Sequence, residues 1–77
     1  LVVDDDPATG KSLELAFASE GIICDTAQFG EDGVEIGKLY DYDIIILDLM
    51  LPDIDGYEVL LRLRSAKIKI PILILSG

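Results

Sequence analysis

Apolar residues in this chain gather in two kinds of pattern. In one kind they are consecutive, with no polar alternation: Leu1-Val2-Val3, Ile44-Ile45-Ile46-Leu47 and Ile72-Leu73-Ile74-Leu75. Strands of this type have both faces covered, as in a parallel sheet beneath helices. A shorter apolar stretch begins at Ile22 and Ile23, and the spacing predicts a short strand running through Cys24 to Ala27. In the other kind, apolar residues recur at helical spacing between these runs. Asp6-Pro7 predicts a helix start, a capping acid followed by proline at the first helical position. Leu13, Leu15 and Phe17 then form an inward face through Glu20, and Gly21 ends it. Gly30-Glu31-Asp32 opens a second helix with acids where the helix dipole favours them, and Val34, Ile36 and Leu39 face inward. Residues 40–43 form a loop. Asp55-Gly56 enters a third helix, with Val59, Leu60 and Leu63 inward. Asp53, Lys67 and Lys69 are expected to face solvent, and Cys24 to be a small core residue.

Strand and helix therefore alternate four times, lacking only the last helix. Alternation of this kind implies right-handed crossovers, a parallel sheet and helices on both of its faces. The expected class is a doubly wound α/β fold, built as one domain over residues 1–77. A chain this short buries only about 60–65% of its unfolded surface, so stability is marginal.

Composition narrows the function. Fifteen acids against six bases give a net charge of −9, with no histidine. Phosphate binding needs clustered Lys and Arg, so nucleic-acid contact through this chain is not expected. A basic partner or a metal cation suits the charge. Cys24 is the only cysteine, which rules out an internal disulfide and points to a reducing cytoplasmic setting. No apolar run approaches the roughly 20 residues of a membrane helix, so no membrane association is expected. The chain does not begin with Met and stops just after an apolar run, so both ends are expected to be cut from something longer.

The acids at the strand ends carry the candidate chemistry. Asp4 and Asp5 close the first strand, Asp48 closes the third, and Ser76 closes the fourth. In open parallel sheets, functional groups gather at the carboxyl edge of the strands. If the first and third strands are neighbours, three carboxylates meet at one rim. Such a cluster resists full ionisation unless a cation joins it. Ligands made only of oxygen favour Mg²⁺ or a similar hard ion such as Mn²⁺. A carboxylate beside such a metal can attack phosphorus and form an acyl phosphate, while Ser76 could hydrogen-bond the transferred group. Phosphoryl transfer depends mainly on positioning and charge neutralisation, so the lack of histidine is no obstacle.

Three motifs in this order, VVDDDP at 2–7, DIIILDLMLPDIDG at 43–56 and PILILSG at 71–77, resemble the receiver domain of two-component response regulators. Within that family the chain is most similar to transcription regulators of the winged-helix DNA-binding class. The resemblance implies a flavodoxin-like fold with strand order 2-1-3-4, here without the fifth strand and the last helices of a complete receiver. It implies that Asp48 is the phosphoacceptor, Asp5 a direct metal ligand, Asp4 its acidic partner, and the Met50 backbone carbonyl a further metal ligand. Ser76 would be the switch hydroxyl and Gly77 its small neighbour. The implied partner is a histidine kinase or a histidine phosphotransferase. The domain would catalyse only its own phosphorylation and dephosphorylation, and would not act as an enzyme on other substrates. The fifth-strand lysine of the family is absent, and an uncovered fourth strand is expected to invite self-association. Two other readings stand beside this one. A pseudo-receiver that works without phosphorylation usually loses part of the acidic cluster, which is complete here. An aspartyl phosphatase or transferase usually needs a second acid two residues after the nucleophile, where this chain has Met50.

Overall fold

The computed structural model describes residues 1–75. Ser76 and Gly77, expected to form the switch position, lie outside the described residues. Four strands form one parallel sheet: β1 (Val2–Val3), β2 (Thr26–Ala27), β3 (Ile45–Asp48) and β4 (Ile72–Leu75), in the order β2-β1-β3-β4. Three helices connect them: α1 (Pro7–Ser19), α2 (Gly30–Leu39) and α3 (Gly56–Ser65). The expected strand order is thus observed. The register sets Val3 beside Leu47 and Leu47 beside Ile74, and Val2 beside Ile46 and Ile46 beside Leu73.

This register divides the apolar runs between two faces. Val3, Ile45 and Leu47 meet Val34 of α2 and Val59 and Leu63 of α3 in a continuous core. On the opposite face, Val2 and Ile46 share a cavity with Phe17 of α1. Side chains alternate along a strand, so a sheet covered on both faces must be apolar at every position. This is the reason for the unbroken apolar run Ile45–Leu47, all three buried, while Ile44 just before β3 is exposed.

The helix ends follow their sequence signals. Asp6 caps α1 by accepting the Ala8 amide at 2.9 Å, and Asp55 caps α3 by accepting the Glu58 amide at 2.9 Å. Gly21, at φ 76°, closes α1, with the Gly21 amide donating to Ala18 O and the Ile22 amide to Phe17 O, both across the helix end. The end of α3 makes the same pair of bonds, from Lys67 to Arg64 and from Ile68 to Leu63, but places Lys67 rather than glycine at φ 64°.

Several expectations are corrected. The stretch from Ile22 pairs only at Thr26–Ala27, and Ile23 is 87% exposed. Leu15 and Leu39 point outward, at 59% and 72% exposure. Small residues supply much of the buried face of α2, where Gly33 lies against Val3 and Gly37 against Leu63 and Ile45. Cys24 is half-buried on the wall of the α1-side cavity rather than in the core, and burial there pushes its thiol pKa up. On β4 only Ile72 is half-buried. Leu73, Ile74 and Leu75 are exposed, so this strand is an open edge among the described residues.

Candidate functional site

The pairing of β1 with β3 brings their carboxyl ends together. One carboxylate oxygen each from Asp4, Asp5 and Asp48 lies within 4.8 Å of the others. Asp4 and Asp48 are half-buried and Asp5 is exposed. Two of the three side chains, Asp4 and Asp48, accept a backbone amide close by. The Asp4 amide donates to Ala27 O at 3.0 Å, and Asp4 Oδ1 accepts the Asp6 amide at 2.9 Å. Asp48 Oδ1 accepts the Met50 amide at 3.1 Å. Asp6 turns away from the cluster: its two oxygens take the Ala8 amide and the Thr9 hydroxyl. Two of the three consecutive acids, Asp4 and Asp5, thus approach Asp48, while the third caps α1.

The electrostatics favour a cation. At a separation of 4.8 Å, two unit charges repel by about 0.9 kcal/mol in water and about 3.5 kcal/mol at an effective dielectric near 20. Among the described residues the ion pairs lie elsewhere: Lys11 with Glu14, Lys38 with Glu35, and Arg62 with Glu31 and Glu58. None of them involves Asp4, Asp5 or Asp48. Three oxygen donors of like charge, converging from two strand ends, suit a hard divalent ion. Met50 is an exposed loop residue, and its amide, rather than its side chain, contacts the cluster.

Sequence reasoning missed one residue in the loop that follows Asp48. Asp53 does not merely face solvent. Its Oδ1 accepts the Gly30 amide at 2.7 Å and its Oδ2 the Glu31 amide at 2.8 Å, so it caps α2 from the loop that follows Asp48. Desolvation pushes its pKa up, but backbone hydrogen bonds from Glu31, Gly30, Ile54 and Asp53 itself outweigh that and hold the carboxyl below its ordinary value. A signal was present. The N-cap position of α2 is Phe29, which has no side-chain acceptor, so the first turn needs an acceptor from another segment.

The family model of the response regulator receiver domain matches residues 1–77. The chain is 57% identical over all 77 residues to the cell cycle response regulator CtrA of Brucella ovis, and covers 33% of that protein. It therefore spans about a third of the length of the curated relatives it matches. Among solved structures, the receiver domain of a Francisella response regulator superposes with a TM-score of 0.91 at 33% identity, over 97% of this chain and 62% of that one. The Thermotoga maritima response regulator TrrA, solved in complex with Mg²⁺-BeF, superposes with a TM-score of 0.88 at 36% identity, over 97% of this chain and 65% of that one. With its strand order, its rim of three carboxylates and a family match along its whole length, this chain belongs to the response regulator receiver domain family.

Proposed function

We propose that this chain is the phosphoacceptor switch module of a two-component or phosphorelay response regulator, with Asp48 receiving a phosphoryl group from a partner phosphohistidine. The observation that carries this reading is the convergence of Asp4, Asp5 and Asp48 at the carboxyl edge of the sheet. An Asp48 oxygen forms the new O–P bond as the P–N bond to the donor imidazole breaks. The imidazole keeps the electron pair and takes a proton. The Met50 amide fixes one carboxylate oxygen of Asp48, which limits the orientations from which the other can approach phosphorus. Orientation of this kind supplies much of the acceleration in phosphoryl transfer.

The donor set fits Mg²⁺, with Mn²⁺ as an alternative of the same coordination chemistry. Asp5 would ligate it directly, Asp4 through water, and Asp48 and the Met50 carbonyl would complete the protein's share. A bound divalent cation offsets charge on the phosphoryl oxygens. Ser76 is the proposed hydroxyl partner of the transferred group. The donor is a histidine kinase or a histidine phosphotransferase, and the regulated output is a DNA-binding domain outside this chain. The relatives' description as cell cycle response regulators supports that output. The net charge of −9 favours an output in which this chain itself leaves nucleic acid alone. We place the domain in the cytoplasm. Among the described residues no helix is long and apolar enough to cross a membrane. Its catalysis is confined to its own phosphorylation and dephosphorylation.

Calorimetric titration with Mg²⁺ and beryllofluoride tests this function. A phosphoacceptor binds the two together, each raising affinity for the other. A pseudo-receiver binds neither tightly, and that result would overturn the proposal.

A further inference from the structure

The loop between β3 and α3, residues 49–55, carries the amide that orients Asp48, and it is pinned at three places. Near β3, the Met50 amide donates to Asp48 Oδ1 at 3.1 Å, and the Gly56 amide donates to Leu49 O at 3.0 Å. At its far end, Asp55 caps α3. Between them Asp53 reaches across to α2, a segment 22 and 23 residues away in sequence, and takes the first two amides of that helix. Ile54 seats on the same spot, so close that a Cβ on Gly30 would lie 2.5 Å from Ile54 Cγ1. Arg62 of α3 spans Glu58 at 2.9 Å and Glu31 at 3.0 Å, which joins the first turns of α2 and α3 on the surface.

A helix cap normally comes from the residue beside the helix. Here the cap is supplied by the loop of the Asp48 site, and the bond is charge-assisted at both oxygens. We propose that Asp53 is a positioning residue for that site: by clamping residues 49–55 to the first turn of α2, it holds the Met50 amide against the Asp48 carboxylate. This rests on the reading of Asp48 as the phosphoacceptor. Surface loops are otherwise mobile, and a misplacement of about 1 Å at a reacting group can lower a rate by about 100-fold. The clamp confines the loop without touching metal or phosphate. Coupling is reciprocal, so a cation held by Asp48 tightens the clamp in turn.

The test separates a clamp from a simple helix cap. In the natural full-length protein, Asp53→Ala is compared with Asp53→Asn, which retains one acceptor, and with the double variant Asp53→Ala/Phe29→Asp. The added acid at 29 restores a cap to α2 from its own N-cap position but does not tie the loop. Mg²⁺ affinity is read by calorimetry, acetyl phosphate labelling by mass spectrometry, and protection of the Gly30 and Glu31 amides by hydrogen exchange. The clamp predicts that Asp53→Ala weakens Mg²⁺ binding by about 3- to 10-fold, at or below the lower end of what direct outer-shell partners give, and slows labelling in parallel. Asp53→Asn recovers part of both. The double variant regains its urea midpoint but not its Mg²⁺ affinity. In the wild type, Mg²⁺ raises protection at Gly30 and Glu31. Unchanged Mg²⁺ affinity in folded Asp53→Ala, or full recovery in the double variant, would overturn the clamp while leaving the phosphoacceptor reading intact. A wild-type protein that binds no Mg²⁺ would overturn both.

Discussion

Gly56→Ala should destabilise the fold and disturb the Asp48 loop, whereas Gly10→Ala should stabilise it. A Cβ at Gly56 would stand 2.6 Å from the Asp48 carbonyl oxygen and 2.7 Å from Leu49 Cα. Both are backbone atoms in the segment leaving a central strand, so neither can swing aside as a side chain would. Overpacking of this kind costs about 1–3 kcal/mol, and immovable neighbours put this site at the upper end. Alanine regains at most about 1 kcal/mol of helix propensity, which leaves a net loss of about 2 kcal/mol. For a domain of this size that lowers Tm by about 8–16 °C. At Gly10 the nearest atom to a Cβ would be Thr26 Cγ2 at 3.5 Å, an ordinary van der Waals contact. The propensity gain should stand there almost unopposed, at up to about 1 kcal/mol. Urea unfolding of the two variants beside the wild type, followed by far-ultraviolet circular dichroism, reads both values. If Gly56→Ala matched the wild-type midpoint, the close approach of α3 to the end of β3 would be wrong, and the account of how the loop is held would fall with it.

Other outcomes follow from the same structure. Asp5→Ala should weaken Mg²⁺ binding more than Asp6→Ala does, because Asp5 joins the rim while Asp6 caps α1; Asp6→Ala should lower stability by about 1 kcal/mol, and calorimetry and urea titration read the two effects separately. Lys67→Gly should stabilise by about 0.5–1 kcal/mol in thermal unfolding, because Lys67 sits at φ 64° where a side chain is strained, an advantage partly offset by glycine's freer unfolded state. An isolated 1–77 polypeptide should self-associate in light scattering, since Leu73, Ile74 and Leu75 line an open strand edge; a monodisperse monomer at high concentration would contradict that.

The sequence discloses what depends on local chemistry. Asp6, Gly21 and Asp55 announce helix ends because capping acts within a few residues. The unbroken apolar runs at 1–3 and 45–47 announce strands covered on both faces, and with them the rim where Asp4, Asp5 and Asp48 converge, whereas the equally apolar run at 72–75 ends up on the edge of the sheet with Leu73, Ile74 and Leu75 exposed. What stays hidden depends on distant partners. Asp53 caps a helix more than twenty residues earlier in the chain, so its own neighbourhood in the sequence marks it only as a polar loop residue. Leu15 and Leu39 occupy helical apolar positions, yet their exposure is decided by which elements lie opposite them. The face of α2 is legible only when small residues count as packing residues: Gly33 and Gly37 allow close approach to Val3 and Leu63, where periodicity looks for large side chains. The stretch after Ile22 carries strand-like residues over a longer span than pairs, because β1, at two residues, offers only a short partner.

The central claim is that Asp48 accepts a phosphoryl group at a cation site shared with Asp4 and Asp5. The direct measurement is to treat the full-length protein with acetyl phosphate and Mg²⁺, reduce the acyl phosphate with borohydride, and locate the modified residue by peptide mass spectrometry. Modification at Asp48, dependent on Mg²⁺ and abolished in Asp48→Asn, is the predicted result. Modification of another residue at wild-type extent in Asp48→Asn, or labelling indifferent to Mg²⁺, would contradict it.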